Sequence, residues 1–351
     1  MSFVDSLWYG KRPWSLLLCG ILLLPASWLF GAVSSLRRVL YLKGLKPTDA
    51  PDVPVIVVGG ITVGGSGKTP LCIALLKELK QQGYHPALIS RGYRGEAPAY
   101  PFLVEEHSDP KLCGDESLLI KRSVGADIPV AVDPDRVRGA FYLASLGADV
   151  IVCDDGMQHY ALERDVEIAV IDLKRGLGNG QWLPAGPLRE KPWRLECVDA
   201  VVFNGAGMVN PGYYTMVLRA HLPRALTGVE GKTLPRGTEV CALAGIGNPG
   251  RFYETLRDLG FEVTQTLKVP DHGRLDDEVI IKAAAVHPVV MTAKDAVKYG
   301  TLGCDNVYVV EVAAQLSDNF YGVVLEKLRT SRNKIDLRAK RHAQNAAQPE
   351  A

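Results

Sequence analysis

A glycine-rich stretch near residue 60 carries the first residues that could do chemistry. It reads GGITVGGSGKTP and begins at Gly59. Its glycines would let backbone N–H groups approach phosphate oxygens at the start of a helix, where anions are favoured. Lys68 would then reach the β- and γ-phosphates of a nucleotide, and the Thr69 hydroxyl would bind magnesium. The residues of this predicted nucleotide-binding loop are Thr62, Val63, Gly64, Gly65, Ser66, Gly67, Lys68 and Thr69.

Thr62 stands where the phosphate-binding pattern G-x-x-x-x-G-K-[ST] has its first glycine. Whether the loop binds phosphate must therefore be judged from the residues that flank it. The run VPVIVVGG from Val53 is apolar and β-branched, which is typical of a parallel strand buried on both faces. Behind the loop, TPLCIALLKELKQQG has apolar residues at helical spacing and ends at Gly83. Strand, loop and helix follow in the order that a P-loop requires, and the alternative is an ordinary strand-to-helix turn.

Two pairs of acidic residues could complete such a site. Asp154 and Asp155 follow the apolar run Val150–Cys153, and one of them would hold magnesium directly or through water. Asp115 and Glu116 open the predicted helix of CGDESLLIKR. Asp115 could accept the proton of a substrate hydroxyl, and Glu116 could lie near magnesium. The alternatives are an ordinary turn for the first pair and partners of the helix dipole for the second.

The second half of the chain repeats the order of strand, glycine turn and helix from about residue 226. The turn AGIGNPG matches G-x-G-x-x-G, and Asp271 lies where a ribose-binding acid would be sought. A dinucleotide site is therefore an alternative, although Pro249 lies inside the turn and the P-loop is already present. His272 follows in a loop, where it either faces solvent or reaches the γ-phosphate across a cleft between domains.

An apolar segment precedes all of these residues. WSLLLCGILLLPASWLFGAVSS, which begins at Trp14, has no charge and is long enough to cross a ~30 Å hydrocarbon core. More basic residues follow it than precede it, which predicts that the remainder lies in the cytoplasm. A helix that lies in the interface and a cleaved signal peptide are the alternatives, and Pro25 could kink a spanning helix.

The composition excludes several classes of protein. The 351 residues are enough for two domains, and 47% hydrophobic with 23% charged residues is typical of a folded protein. The 40 Lys and Arg nearly cancel the 39 Asp and Glu, so net charge gives no case for binding nucleic acid. The seven cysteines are scattered without a C-x-x-C pair, which argues against a disulfide framework or a zinc cluster.

These patterns predict an α/β protein with a P-loop NTPase-like, doubly wound and mainly parallel sheet. We expect a second, smaller α/β domain and an N-terminal membrane-associated helix. The predicted boundaries are 1–46 for the membrane-associated segment, 47–225 for the P-loop kinase core and 226–330 for the second domain, which closes the cleft. Residues 331–351 are basic and then low in complexity, and we expect a disordered tail.

Eight motifs occur in the same order as in one family, so that the chain resembles the tetraacyldisaccharide 4'-kinases of lipid A synthesis. They are VGGSGKTP, SRGYRG, GDE, DDGMQH, LPAGPLRE, AGIGNPGRF, PDH and TAKDAVK. The likeness runs from the apolar N terminus to about residue 325. It implies transfer of the γ-phosphate of ATP to the 4'-hydroxyl of a lipid A disaccharide precursor that carries a 1-phosphate. It also implies an inner-membrane protein with cytoplasmic catalytic domains, bound to membrane and lipid disaccharide but to no nucleic acid or obligate protein partner.

The resemblance also implies roles for single residues. ATP would lie on residues 62–69, with Lys68 catalytic, and Asp115 with His272 would form an acid/base pair. Magnesium would lie near Thr69, Asp155, Glu116 and Asp154. The candidates for the 1-phosphate of the substrate are Arg91, Arg94 and Arg189. Guanidinium groups prefer phosphate, although the alternative for these three is a solvated surface position.

The chain departs from the family pattern at two places. Met157 stands where phenylalanine or leucine is expected in DDG-x-QH, and Val269 and Gly273 flank PDH in place of an aromatic residue and a second histidine. Both changes bear on the packing of the pocket more than on its chemistry. Two other functions are compatible with a membrane-tethered P-loop: an ATPase or GTPase that acts as a switch or chaperone, and an adaptor that only binds nucleotide.

Overall fold

A computed structural model describes residues 3–10, 14–226, 233–246, 249–269, 273–300, 302–317 and 319–346. Within these residues the chain forms two mainly parallel β-sheets with helices packed on them. The predicted α/β fold with a larger and a smaller sheet is confirmed.

The larger sheet contains the P-loop strand. Its strands are β1 (Val55–Gly59), β2 (Pro86–Ser90), β3 (Phe102–Leu103), β4 (Val130–Val132), β5 (Val150–Asp154), β6 (Val166–Asp172), β7 (Ala200–Asn204), β8 (Tyr214–Ala220) and β14 (Val312–Leu316). Their order is β14-β8-β7-β6-β1-β5-β2-β4-β3, and only the pairings of β3 with β4 and of β14 with β8 are antiparallel. All residues of β1 and β5 are buried, as expected for apolar, β-branched strands covered on both faces.

The smaller sheet lies between β8 and β14 in the sequence. Its strands are β9 (Arg224–Ala225), β10 (Glu239–Ala244), β11 (Glu262–Lys268), β12 (Val289–Thr292) and β13 (Val307–Val310). Their order is β11-β10-β12-β13-β9, and only β9 runs antiparallel to its neighbour.

The helices cover these sheets. They are α1 (Phe3–Tyr9), α2 (Trp14–Leu42), α3 (Lys68–Gln81), α4 (Pro110–Cys113), α5 (Asp115–Val124), α6 (Arg136–Ser145), α7 (Pro249–Asp258), α8 (Asp277–Ala284), α9 (Ala293–Ala296), α10 (Phe320–Thr330) and α11 (Arg332–Ala346), with a 3₁₀ helix at Pro192–Cys197. The P-loop helix α3 buries Leu71, Leu75 and Leu79 against the larger sheet. Their spacing of four residues places them on one face of the helix, so α3 is fixed by its apolar side.

The N-terminal helix α2 presents one face to the protein and another to solvent. The Ser27 hydroxyl accepts a hydrogen bond from Ala185 N at 2.9 Å, and Gly31 packs so closely on Trp182 that an added Cβ would lie 2.5 Å from the indole ring. The segment from Gly20 to Leu42 is apolar and long enough to cross a membrane. Large apolar side chains of its other face are exposed: Ile21, Leu22, Trp28, Leu29, Val33, Leu36 and Leu42.

The chain returns to the larger sheet earlier than the predicted boundary at residue 330. Strand β14 pairs with β8, and Phe320, Val324 and Leu328 of α10 are buried in the core of the larger sheet. The strands of the smaller sheet therefore lie within residues 224–310, whereas β14 and α10, which the prediction placed in the second domain, pack with the larger sheet. Hydrophobic periodicity identifies β14 and α10 as elements, but it does not specify which sheet they join.

The prediction of a disordered tail is wrong for residues 332–346, which form α11. Arg338 of this helix is only 2% exposed. Its guanidinium donates to Pro51 O at 2.7 Å and to Asp165 Oδ2 at 3.2 Å. The terminal nitrogens of the buried guanidinium thus have a carbonyl and a carboxylate as partners. Composition does not reveal such a specific contact.

Candidate active site

The P-loop lies between β1 and α3, beyond the carboxyl end of the larger sheet. Gly64 and Gly67 have φ of 102° and 97°, which favours glycine at both positions. A Cβ on Gly67 would also lie 2.4 Å from Asn204 Nδ2, and that amide donates to Ser66 O at 3.0 Å. The Ser66 hydroxyl is buried and has no hydrogen-bond partner. An unsatisfied hydroxyl in a glycine cradle fits a loop that receives a polar ligand.

Thr62 occupies the first-glycine position without strain. It is not among the described residues with positive φ, so glycine is not required there. Thr62 forms an antiparallel bridge with Leu188, and Val63 N donates to Pro187 O at 2.9 Å. The motif LPAGPLRE thus holds the first part of the P-loop through its backbone.

Asp155 is the acidic partner of the P-loop lysine. Lys68 Nζ lies 3.3 Å from Asp155 Oδ1, and Arg189 Nη1 donates to both oxygens of this carboxylate at 3.0 and 3.1 Å. Burial alone would raise the pKa of Asp155, but the two cations outweigh it and hold that pKa below its ordinary value. Asp155 has φ of 45°, a strained conformation that turns the chain at the end of β5.

Asp154 lies deeper than Asp155 and differs in charge state. Its carboxyl group is buried, and the Cys72 thiol donates to Oδ1 at 3.6 Å. Burial raises the pKa of Asp154 to about 7, and the negative charges of Glu116 and Asp155 add to this effect. The two neighbouring aspartates are therefore not equivalent: Asp155 is ionised at neutral pH, and Asp154 titrates there.

Asp115 and Glu116 open α5 on the side that faces the smaller sheet. Lys294 of α9 lies with Nζ 2.9 Å from Glu116 Oε1, and Lys298, just past α9, lies with Nζ 3.7 Å from Asp115 Oδ2. The predicted proton acceptor and the predicted magnesium neighbour thus lie where the two sheets meet.

The oxygen ligands predicted for magnesium fit this ion. Among the described residues, no three His, Cys, Asp or Glu side chains converge as a ready-made metal site. Magnesium bound with a nucleotide needs only one or two protein carboxylates besides phosphate oxygens and water. Asp155 and Glu116 each pair with a lysine, so both are positions that attract a cation.

The three arginines predicted for the substrate phosphate occupy different places. Arg189 lies beside Lys68 through their shared partner Asp155. Arg91 and Arg94 are exposed in the loop after β2, where the Arg94 guanidinium lies 5.5 Å from the centre of the Tyr93 ring. Among the residues that the structure describes, no contact joins Arg91 or Arg94 to Arg189. His272 lies outside the described residues.

The glycine turn after β10 has its own protein partner. Gly245 N donates to Asp295 Oδ2 at 2.9 Å, and an added Cβ would lie 2.7 Å from Asp295 Oδ1. The first glycine of the G-x-G-x-x-G pattern therefore has its backbone amide and the space beside it taken by a carboxylate of the protein itself. This contact counts against the dinucleotide alternative.

Several residues that contact the site have no role that their sequence pattern predicts. Gln158 Nε2 donates to Gly60 O at 3.0 Å and to Glu190 Oε1 at 2.7 Å, and its Oε1 accepts from Arg189 at 3.2 Å. Lys294 and Lys298 reach Glu116 and Asp115 as described above. Gln158 lies in the motif DDGMQH, Glu190 in LPAGPLRE, and Lys294 and Lys298 in TAKDAVK. These motifs are typical of the family, but they do not indicate the role of each residue.

The comparisons with known proteins agree on one family. The family described as Tetraacyldisaccharide-1-P 4'-kinase matches residues 19–329. The tetraacyldisaccharide 4'-kinase of Aeromonas hydrophila subsp. hydrophila is 41% identical over 326 residues, which cover 93% of this chain and 96% of that protein. The corresponding protein of Shewanella sp. strain MR-4 is 44% identical over 333 residues, with coverage of 93% and 95%.

A solved structure supports the same relationship. LpxK from Aquifex aeolicus, crystallised in complex with ATP, superposes with a TM-score of 0.74 at 26% sequence identity. The match covers 88% of this chain and 99% of that one. The helix α11 begins after the last residue of the family match.

Proposed function

Because the chain belongs to the tetraacyldisaccharide-1-phosphate 4'-kinase family, we propose that the residues around its P-loop transfer the γ-phosphate of ATP to a sugar hydroxyl. The acceptor is the 4'-hydroxyl of a tetraacyldisaccharide 1-phosphate, and the enzyme is a kinase of lipid A biosynthesis. The observation that carries the assignment of residues is the ion pair of Lys68 with Asp155 beside the P-loop.

Lys68 and Arg189 are proposed to act on the transferred phosphate. Both lie within 3.3 Å of Asp155, which holds them next to the P-loop before nucleotide binds. Phosphate oxygens would compete with Asp155 for these cations, because charge-assisted hydrogen bonds to phosphate are strong and an arginine can bind in bidentate form. We therefore assign Arg189 to the nucleotide and retain Arg91 and Arg94 as candidates for the 1-phosphate.

Magnesium would be held by Thr69, Asp155 and Glu116, with Asp154 behind Asp155. When bound, it would neutralise charge on the β- and γ-phosphates. The raised pKa of Asp154 means that this buried carboxyl group releases its proton near neutral pH, so a nearby cation would favour its ionised form. Lys68 and Lys294 would hold the carboxylates of Asp155 and Glu116 in place for the metal ion.

Asp115 is proposed to accept the proton of the 4'-hydroxyl, with His272 as its partner. Asp115 lies at the start of α5, next to Glu116 and opposite Lys298. A carboxylate in this place can orient the hydroxyl for in-line attack and take its proton as the bond to phosphorus forms.

Helix α2 is proposed to attach the protein to the cytoplasmic face of the inner membrane. Its exposed apolar face lies opposite the face that packs on residues 182–185, which precede Arg189 in the motif LPAGPLRE. A helix bound to protein along one side suits a position in the interface more than an isolated span. A lipid whose acyl chains lie in the bilayer would then present its sugar next to the P-loop.

Incubation of the purified protein with ATP, magnesium and tetraacyldisaccharide 1-phosphate tests the kinase assignment. Mass spectrometry of the lipid should show one added phosphate, and its formation should depend on ATP. Hydrolysis of ATP without any phosphorylated lipid would instead support the membrane-tethered ATPase.

A further inference from the structure

Lys298 is a buried lysine that lies between the two sheets. Its side chain is only 6% exposed. Lys298 Nζ donates to Asp295 Oδ1 and to Gly273 O, each at 3.0 Å, and lies 3.7 Å from Asp115 Oδ2. The ammonium group therefore joins three segments of the chain, and one of them carries the proposed proton acceptor.

The position of Lys298 is fixed from the side of the smaller sheet. Asp295 is 1% exposed, and its Oδ2 accepts hydrogen bonds from Gly245 N at 2.9 Å and from Thr292 Oγ1 at 2.7 Å. The two donors fix the Asp295 carboxylate, and its other oxygen accepts the hydrogen bond from Lys298 and so fixes the lysine. Lys298 is thus positioned by contacts that do not involve Asp115.

The segment that follows His272 in the sequence is attached to the same place. Lys298 Nζ binds Gly273 O, and Arg274 Nε donates to Lys298 O at 3.1 Å in return. Leu275 N donates to Tyr299 Oη at 3.0 Å. Three hydrogen bonds therefore connect residues 273–275 with residues 298–299, so that residues 273–275 are held beside Lys298.

We propose that Lys298 is a positioning residue for phosphoryl transfer, which holds the Asp115 carboxylate and residues 273–275 in one arrangement. The proposal rests on the role of Asp115 given above and adds to it the group that orients this base. At 3.7 Å the contact with Asp115 is longer than a hydrogen bond, so the attraction is between charges. In a buried place this attraction is screened less than at the surface, and it fixes the carboxylate without a short bond that would compete with proton transfer.

A double-mutant cycle tests this role. The variants are Lys298→Met, which removes the charge but keeps most of the apolar stem, Asp115→Asn, and the two combined. Lys282→Met serves as the matched control, because Lys282 is 80% exposed on α8 of the same sheet. We measure kcat, the KM for ATP, the dissociation constant for ATP and the thermal midpoint of each variant.

Lys298→Met should lower kcat at least about tenfold while the dissociation constant for ATP stays within about twofold, since the lysine acts on the base and not on the nucleotide. In the Asp115→Asn background the same substitution should cause little further loss, because the carboxylate that it positions is already absent. Lys282→Met should match the wild type. Lys298→Arg, which keeps the charge, should retain more activity than Lys298→Met. If Lys298→Met fails to fold, Lys298→Arg is compared with the wild type and with Asp115→Asn instead.

Unchanged kcat in Lys298→Met would overturn the proposal, and so would an equal loss in the Asp115→Asn background, because the lysine would then act independently of Asp115. A well-folded Lys298→Arg that is no more active than Asp115→Asn would also contradict a role for the charge. A different result, unchanged turnover in Asp115→Asn alone, would remove Asp115 as the base and thus reject the proposed mechanism itself.

Discussion

Lys68 Nζ lies 3.3 Å from Asp155 Oδ1, so the P-loop lysine and the strained residue after β5 form an ion pair. The same carboxylate also binds Arg189. Asp155 thus gathers two cations next to the glycine loop, and its pKa is held low by them against the effect of burial. We propose that this arrangement prepares the site for a polyanion, because a phosphate group that displaces the Asp155 carboxylate can bind both cations.

Replacement of Lys68 by methionine should lower turnover by about a hundredfold or more, because the transition state loses a cation that stabilises its charge. Turnover with saturating ATP and lipid measures this loss. Lys77→Met is the matched control, since Lys77 is exposed on the same helix α3. Wild-type turnover in Lys68→Met would exclude the lysine from the chemical step.

Much of the P-loop could be predicted because its signals are local. An apolar strand, a glycine loop and an amphipathic helix follow each other directly, and each has its own pattern. The bridge between Thr62 and Leu188 could not be predicted, since no pattern within the loop identifies a partner that far along the chain. Local patterns therefore predict the strand, the loop and the helix, but not the segment that supports the loop.

The contacts across the two sheets were missed for a similar reason. Helix α9 has only four residues and no amphipathic period of its own. Lys294 within it and Lys298 just past it contact α5 across a long separation in sequence. Arg338 lies in the basic part of the segment for which disorder is predicted, yet its guanidinium binds the buried carboxylate of Asp165. Composition and periodicity predict elements, whereas single polar contacts between distant elements depend on the tertiary fold.

The buried carboxyl group of Asp154 should make stability depend on pH in the metal-free, nucleotide-free protein. Its pKa is about 7 in the folded state and about 4 in the unfolded chain, so the folded state holds the proton longer. The stabilisation from the neutral carboxyl is complete below about pH 4 and is lost as the pH rises to about 7. The loss is about 1.4 kcal/mol for each pH unit in which only the folded state binds the proton.

Urea unfolding at several pH values, with Asp154→Asn as the reference, measures this effect. The asparagine does not titrate, so the free energy of unfolding of Asp154→Asn should increase relative to that of the wild type between about pH 4 and 7. A difference between the two proteins that stays constant over this range would show that Asp154 ionises normally in the folded state.

The ion pair of Arg338 with Asp165 should hold α11 on the protein. Arg338→Met leaves the buried Asp165 carboxylate without its cation and should lower the free energy of unfolding by about 3–5 kcal/mol. Asp165→Asn in the same chain should restore part of the loss, because the uncompensated charge is removed. Lys340→Met, at an exposed position of α11, is the control for the substitution itself. Equal stability of Arg338→Met and Lys340→Met in urea unfolding would contradict this account.

The exposed face of α2 should carry the attachment to membranes. Leu22 and Leu29 are 78% and 67% exposed, and glutamate at both positions should greatly reduce flotation with lipid vesicles. The thermal midpoint should change little, because the face of α2 that packs on the protein is untouched. Leu146→Glu, at another exposed leucine, is the control, and undiminished flotation of the double variant would mean that a different surface binds the lipid.

The most direct test of the proposed site compares the wild type with Asp115→Asn in the transfer of phosphate to tetraacyldisaccharide 1-phosphate. Mass spectrometry follows the lipid product, with fragmentation to locate the new phosphate, and calorimetry measures the binding of ATP. We expect 4'-phosphorylated lipid from the wild type, and from Asp115→Asn a rate lower by about a hundredfold or more with ATP binding retained. Equal rates of product formation by the two proteins would contradict the proposed role of Asp115.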